Sequence, residues 1–284
     1  MKYAVIDIGS NSVRLMLWAD GTLYKKLFTT RLAAGMRDGV LQEDAMRRTA
    51  EAIAVFYREG VAEAGAARTF AFATAAVRSA KNGAAFCAYV KELCGAEIDV
   101  VSGDTEALLG AYGALGAQDG GMIDIGGAST EIYLRKGGKK AFAVSLPVGV
   151  VRLKEACGQE KDLLERAVRE AVAPLAGQRA DVPMFAVSGT ACTLACIFLQ
   201  TPFAEGKIHG AKLSRAWVAR EAEELCALSV EEKKRLTGME EKRADVIAGG
   251  AVLLAGIMET LKIEKITFSE SDNLEGYLRY RGLI

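Results

Sequence analysis

Residues 3–14 read YAVIDIGSNSVR, and 117 positions later the chain writes GGMIDIGGASTE at residues 120–131. Laid over each other, Asp7 falls on Asp124, Gly9 on Gly126, Ser12 on Ser129 and Arg14 on Glu131. Each copy is a short apolar run ending in an Asp, then a turn of small residues, then a second apolar run. Apolar runs of this length bounded by turn residues are strands. A strand–turn–strand unit written twice constrains the fold more than any other feature. It demands two related halves.

The segments between the copies support that division. After the first copy, Asp20-Gly21 makes a turn in an antiparallel meander. Apolar residues Met46, Ile53, Phe56 and Tyr57 recur at helical spacing and predict a helix over 43–63, ending near Gly65. A strand is expected at 69–73, a loop at 74–79, and a helix through Phe86, Val90 and Leu93 capped by Gly95. A strand at 98–101 and a helix opening near Asp104 complete the first half. The layout then restarts: strand, turn, strand, a Gly137-Gly138 hairpin and a strand to Leu146. Helices are expected around 150–177, a strand at 184–187, helices over 212–236 and 240–261, a strand at 265–268 and a last helix at 272–279. Strands alternating with helices, twice over, make a duplicated α/β protein. The expected domains are 1–118, completed by 272–284, and 119–271, with Gly120-Gly121 as the hinge region.

Composition narrows the chemistry. The 284 residues carry 36 acids and 36 bases, so no overall basic field gathers nucleic acid and any anion site must be local. Asp7 arrives too early for a signal-peptide core, and the longest apolar run, 246–258, is too short for a bilayer span. A cytoplasmic protein with no membrane partner is expected. The six cysteines form no CxxC pair and read as reduced, buried thiols. His209 is the single histidine, which argues against Ser-His-Asp or Cys-His catalysis. Carboxylates, backbone amides, arginines and a metal remain.

The small-residue turns fit a phosphate group. Backbone N–H groups supply donors where side chains stay small, and hydroxyls add more. The runs Gly9-Ser10-Asn11-Ser12 and Gly126-Gly127-Ala128-Ser129-Thr130 meet that requirement, against the plainer alternative of two tight hairpin turns. A third turn, Ser188-Gly189-Thr190, joins a strand to a helix, where helix N-terminal amides favour an anion. Four acids lie near these turns: Asp7, Glu106, Asp124 and Glu131. Each is either a capping or dipole partner, or part of an oxygen ligand set for Mg²⁺ and a water-activating base.

These stretches together resemble the Ppx/GppA phosphatases, exopolyphosphatases and guanosine pentaphosphate phosphohydrolases of the actin-like ATPase superfamily. The resemblance runs in order through AVIDIGSNSVRL (4–15), RLAAGMRDGVL (31–41), ATAAVRSAKN (73–82), VVSGDTEALLGAYG (100–113), MIDIGGASTEI (122–132), SLPVGVVRLKE (145–155), AVSGTACTLA (186–195) and RADVIAGGAVLLAGIM (243–258). It implies a duplicated actin-like, ribonuclease H-like fold with two domains around a central cleft. It implies that Glu106 activates the attacking water. Asp124 and Glu131 match the acids that hold Mg²⁺, with Mn²⁺ as an alternative, and Asp7 is the equivalent acid of the first half. Gly126, Gly127, Ala128, Ser129 and Thr130 match the phosphate loop, with Gly9, Ser10, Asn11 and Ser12 opposite. Arg14 and Arg78 match arginines that meet phosphoryl oxygens. Gly189 and Thr190 are the third phosphate-binding candidates.

The sequence departs from the family pattern in three places. Ala128 stands where a third consecutive glycine is usual. The closing segment reads FSESDNLEGYL at 268–278, without the usual arginine, and the helical extension of the larger members does not follow. The implied substrate is inorganic polyphosphate or a guanosine pentaphosphate. A non-catalytic sensor of the same ligands remains open, as more weakly does an actin-like ATPase or sugar kinase; a homodimer is compatible with all of them. With only Arg14, Arg78, Arg31, Arg37 and Arg243 placed near the turns, short polyphosphates or a nucleotide terminus are expected, processed distributively.

Overall fold

The structure is a computed structural model that describes residues 1–63, 65–204 and 206–284. The first sheet begins with β1 (Tyr3–Ile8), β2 (Ser12–Trp18) and β3 (Thr22–Thr29), antiparallel neighbours in that order. All six residues of β1 are buried because it lies between β2 and another strand with both faces covered. At the sheet edge, β3 carries Lys25 and Lys26 and is largely exposed.

Helix α1 (Glu43–Arg58) follows, burying Ala45, Thr49, Ala50, Ile53 and Phe56 along one face. A π-helical turn continues it to Glu63. Strand β4 (Arg68–Ala73) pairs parallel to β1, and β5 (Ile98–Val100) parallel to β4. Between them lie α2 (Ala75–Ser79) and α3 (Gly83–Cys94). Residues 75–79, expected as loop, form a short helix whose Ala75, Ala76 and Val77 are buried. Gly95 ends α3 at φ +80°, the left-handed cap expected of it. Helix α4 (Gly103–Leu115) comes next.

The second sheet repeats the plan with β6 (Gly120–Ile125), β7 (Thr130–Lys136) and β8 (Lys139–Leu146), antiparallel neighbours again. Helices α5 (Val150–Cys157) and α6 (Lys161–Val172) follow, then β9 (Met184–Val187), parallel to β6, and α7 (Ser188–Phe198). The stretch 212–236 divides into β10 (Lys212–Ser214), α8 (Arg215–Ala227) and α9 (Val230–Lys234). Its first residues are therefore strand, paired antiparallel to the later β11 (Lys265–Phe268). The helix expected at 240–261 starts as a short 3-10 turn at 241–243 and becomes α10 (Ile247–Thr260), apolar on all sides and buried. Helix α11 (Asn273–Tyr280) closes the chain.

Strand order is β3-β2-β1-β4-β5 in the first sheet and β8-β7-β6-β9-β11-β10 in the second. Five strands match in order and direction, and β10 is an added edge. Both sheets are mixed: three antiparallel strands, then parallel ones reached through helices. This is a duplicated α/β fold of the actin-like, ribonuclease H-like kind. The chain clusters into two compact units, Met1–Glu106 with Asn273–Ile284, and Ala107–Asp272. Gly120 and Gly121, expected as the hinge region, are the buried first residues of β6. A Cβ on Gly121 would stand 2.1 Å from Met184 Sδ and 2.5 Å from Leu134 Cδ2, so a side chain there would have to push both of those side chains aside.

Candidate active site

In the first unit the turn between β1 and β2 closes with Gly9 N donating to Ser12 O at 3.0 Å. Its carbonyls are tied to the segment after β3. Asn11 O accepts from Thr30 N at 3.1 Å and Arg31 N at 2.8 Å, and Ser10 O accepts from Ala33 N at 2.9 Å. With the carbonyls anchored on one side, the amides of Ser10 and Asn11 donate to no acceptor among the described residues. The buried Asn11 Nδ2 likewise has no partner among them. Buried donors cost free energy unless something accepts from them. An anion at the turn would do so.

The second unit builds the same turn with another support. Gly126 N donates to Ser129 O at 3.0 Å. Gly126 O accepts from Val150 N at 3.0 Å and Gly127 O from Val151 N at 2.8 Å, so the first amides of α5 hold the loop's carbonyls. Gly149 makes that approach feasible: a Cβ there would stand 2.5 Å from Gly127 C and 2.6 Å from the carbonyl oxygens of Gly126 and Gly127. The amides of Gly127, Ala128 and Ser129 have no acceptor among the described residues. Ala128, which stands where a third glycine was expected, is buried in the turn together with Gly127 and Ser129.

Two hydroxyls expected to bind phosphate also brace the turn. Thr130 Oγ1 donates to Val148 O at 2.7 Å and Thr190 Oγ1 to Ile125 O at 3.2 Å. Each hydroxyl has one proton, and both are committed to carbonyls. The third turn adjoins the second because β9 runs parallel to β6, with Val187 opposite Asp124. Ser188 there has φ +67°, an uncommon and strained value for a side-chain-bearing residue. The buried Arg243 guanidinium lies over Gly189, where a Cβ would be 2.0 Å from Nη2, and its Nε donates to Glu240 at 2.8 Å. The sequence alone gave Arg243 only a secondary place.

The acids divide by unit. Asp7 faces Arg14 across β1 and β2, and Arg14 grips its Oδ2 through Nη2 at 2.5 Å and Nε at 3.1 Å. At the equivalent register Asp124 faces Glu131, both buried, with Ser145 Oγ donating to Glu131 Oε1 at 2.6 Å. Glu106, in the first turn of α4, is buried and held by Arg78, whose Nη1 donates to Glu106 Oε2 at 2.8 Å and to Val101 O at 2.9 Å. The structure thus brings together Glu106 with Arg78, Asp7 with Arg14, and Asp124 with Glu131.

No group of three or more His, Cys, Asp or Glu side chains is placed to hold a metal among the described residues. Asp124 and Glu131 are a buried pair of hard oxygen donors, the kind Mg²⁺ takes together with substrate phosphates, and Asp7 offers the same donor type beside Arg14. All six cysteines are free thiols, and no described helix is long and apolar enough to cross a membrane.

The model of the Ppx/GppA phosphatase family matches residues 19–280. The chain belongs to the Ppx/GppA phosphatase family. It is 29% identical to exopolyphosphatase 2 of Mycobacterium tuberculosis, with 97% of both chains covered. It is 31% identical to the guanosine-5'-triphosphate,3'-diphosphate pyrophosphatase of Photobacterium profundum over 96% of this chain, but spans only 58% of that longer relative. Among solved structures, the Aquifex aeolicus member of the Ppx/GppA family superposes with a TM-score of 0.81 at 27% identity, covering 100% of this chain and 98% of that one.

Gly149, Ser145 and the 30–33 segment were not picked out from the sequence. All three lie within or beside stretches that carry the Ppx/GppA resemblance, but their roles are contacts between distant segments. The one local signal was the Gly between Val148 and Val150, a small residue just before a helix.

Proposed function

We propose that this protein is a Mg²⁺-dependent phosphohydrolase that releases terminal orthophosphate from inorganic polyphosphate or from guanosine pentaphosphate. The observation that carries this is the second turn: backbone amides at 127–129 without an acceptor among the described residues, beside the buried carboxylate pair Asp124 and Glu131. The names of the relatives support it, one an exopolyphosphatase and one a guanosine pentaphosphate pyrophosphatase.

In this reading the turn amides take phosphoryl oxygens, which carry the charge that grows in the transition state. Asp124 and Glu131 would hold Mg²⁺, which when bound would offset that charge. Glu106 accepts a proton from water as its oxygen attacks the terminal phosphorus. The bond from that phosphorus to the bridging oxygen breaks, and orthophosphate leaves a chain one unit shorter. Arg78 positions Glu106 through its Nη1 contact.

The test is phosphate release from polyphosphate and from guanosine pentaphosphate, after chelation and after restoring metal. Release that stops on chelation and returns with Mg²⁺ or Mn²⁺, but not with zinc, is expected. Tight binding of either ligand without release under Mg²⁺ would replace the enzyme with a sensor.

A further inference from the structure

The β7–β8 hairpin ends in RKGGKK, residues 135–140, and Lys136, Lys139 and Lys140 are all exposed. Gly137 and Gly138 have φ +61° and +70°, as a two-residue turn with both φ positive requires. The tip is fixed at its base. Asp119 Oδ2 and Oδ1 accept from the amides of Gly137 and Gly138 at 2.6 and 2.9 Å, and Arg135 Nη1 donates to Gly116 O at 2.7 Å. Asp119 is the acid nearest the turn in these contacts, and its two oxygens are engaged by those amides.

The strand register places Lys136 opposite Lys139 and Arg135 opposite Lys140. Like charges directly opposite destabilise a hairpin. None of the three lysines forms an ion pair or hydrogen bond among the described residues that would relieve this. The equivalent hairpin of the first unit, turning at Asp20-Gly21, pairs Trp18 with Thr22 and Leu17 with Tyr24, with no like charges opposed. A local rule is kept in one copy and broken in the other, with Asp119, among the described residues, the single acid held against four basic residues at the tip, and such breaks concentrate at functional features.

Its place in the sheet says what kind of ligand it can serve. Strand β8 is a sheet edge, with Lys139 at one end and Ser145, the partner of Glu131, near the other. Six residue steps along the strand separate them, about 20 Å at roughly 3.3 Å per step. That is about two and a half times the screening length of about 8 Å at physiological salt, so the lysines have little influence on a phosphate held at the 126–130 turn. They can act only on a ligand long enough to reach both. The hairpin offers no exposed large apolar side chain among the described residues, so it lacks the aromatic platform of a nucleic-acid site and the apolar wedge of a membrane site.

We infer that this hairpin tip is a remote anchor for the distal part of an inorganic polyphosphate chain whose end lies at the 126–130 turn. The inference rests on the function proposed above. It also adds a contact that a count of arginines around the turns leaves out, so long chains gain affinity over short ones.

Binding of long-chain polyphosphate and of tripolyphosphate to the full chain, measured under chelation across a salt series, tests the anchor apart from hydrolysis. Each lysine–phosphate contact adds roughly 0.7 to the salt slope by analogy with single strands. The triple variant Lys136→Ser, Lys139→Ser, Lys140→Ser should therefore flatten the slope for the long chain by about 2 and weaken binding by roughly tenfold at low salt. Tripolyphosphate binding should be unchanged, and the matching triple Lys→Arg variant should behave as wild type. Unchanged long-chain affinity and slope in the Ser variant would overturn the anchor, as would an equal loss for tripolyphosphate. A parallel loss of RNA binding at comparable affinity would reassign the hairpin to nucleic acid and overturn it too. Failure of the wild type to release phosphate from any substrate would sink the proposed activity instead, while the binding comparison still decides the anchor.

Discussion

Asp7 and Asp124 occupy the same point of the repeat, yet their cross-strand neighbours have opposite charge. Arg14 neutralises Asp7, whereas Glu131 adds a second negative charge beside Asp124. Paired carboxylates are the oxygen donors that a divalent cation takes, which is the role proposed above for Asp124 and Glu131. Register alone could have exposed this difference, because a two-strand hairpin fixes which residues face each other. The Arg78–Glu106 contact could not be read that way, since it joins two separate helices. Glu106→Gln keeps an oxygen for Arg78 and removes the base. Turnover should fall roughly 10²–10⁴-fold with substrate affinity little changed. Turnover near wild type, measured by phosphate release beside direct binding, would take Glu106 out of the chemistry.

Helix α5 is the element that shapes the second turn, through the amides of Val150 and Val151 and the bare Cα of Gly149. In Gly149→Ala the methyl must push the carbonyls of Gly126 and Gly127 aside. We expect about 10²-fold lower kcat/KM from the displaced loop and a stability loss of about 1–3 kcal/mol from overpacking. A destabilised variant with unchanged kinetics would show that the turn does not set activity. Helix α11 shows how the end of the chain is secured to the first unit. Its Tyr277 stacks on Phe72 with ring centroids 4.8 Å apart and donates to Asp99 Oδ2 at 3.1 Å, while Glu275 meets Lys25 at 2.8 Å. Burial, then the Asp99 charge, pushes the Tyr277 hydroxyl up to about 12. Below the ordinary tyrosine value near 10 its contribution to stability is complete, and it is lost as pH rises from about 10 through 12. Tyr277→Phe keeps the stack, should cost about 1 kcal/mol near neutrality, and should lack this part of the alkaline loss. Denaturant unfolding near neutrality and at about pH 11 checks both; an identical alkaline loss in the variant would remove Tyr277 as its source. The strands and long helices were legible because their apolar patterns are strong. Residues 75–79 and 212–214 were not, since a five-residue helix and a three-residue edge strand are too short to show a period. Gly120-Gly121 was ambiguous because tight packing and a flexible hinge both call for glycine.

At the scale of the whole molecule, one strand plan is used twice and its two turns have diverged. The net charge is zero, so anion binding rests on local backbone amides and a few placed side chains. The first copy supplies a turn with an arginine-paired acid, and the second a turn with paired carboxylates. Membership of the Ppx/GppA family and near-complete coverage of an exopolyphosphatase relative agree with a phosphohydrolase built on that plan. If water attacks the terminal phosphorus, its oxygen must leave in the orthophosphate. Hydrolysis of polyphosphate in oxygen-18 water with Mg²⁺, followed by mass spectrometry of both products, follows that oxygen. One heavy oxygen is expected in each released orthophosphate and none in the shortened chain. Label in the shortened chain, or no phosphate release at all, would rule out attack at the terminal phosphorus.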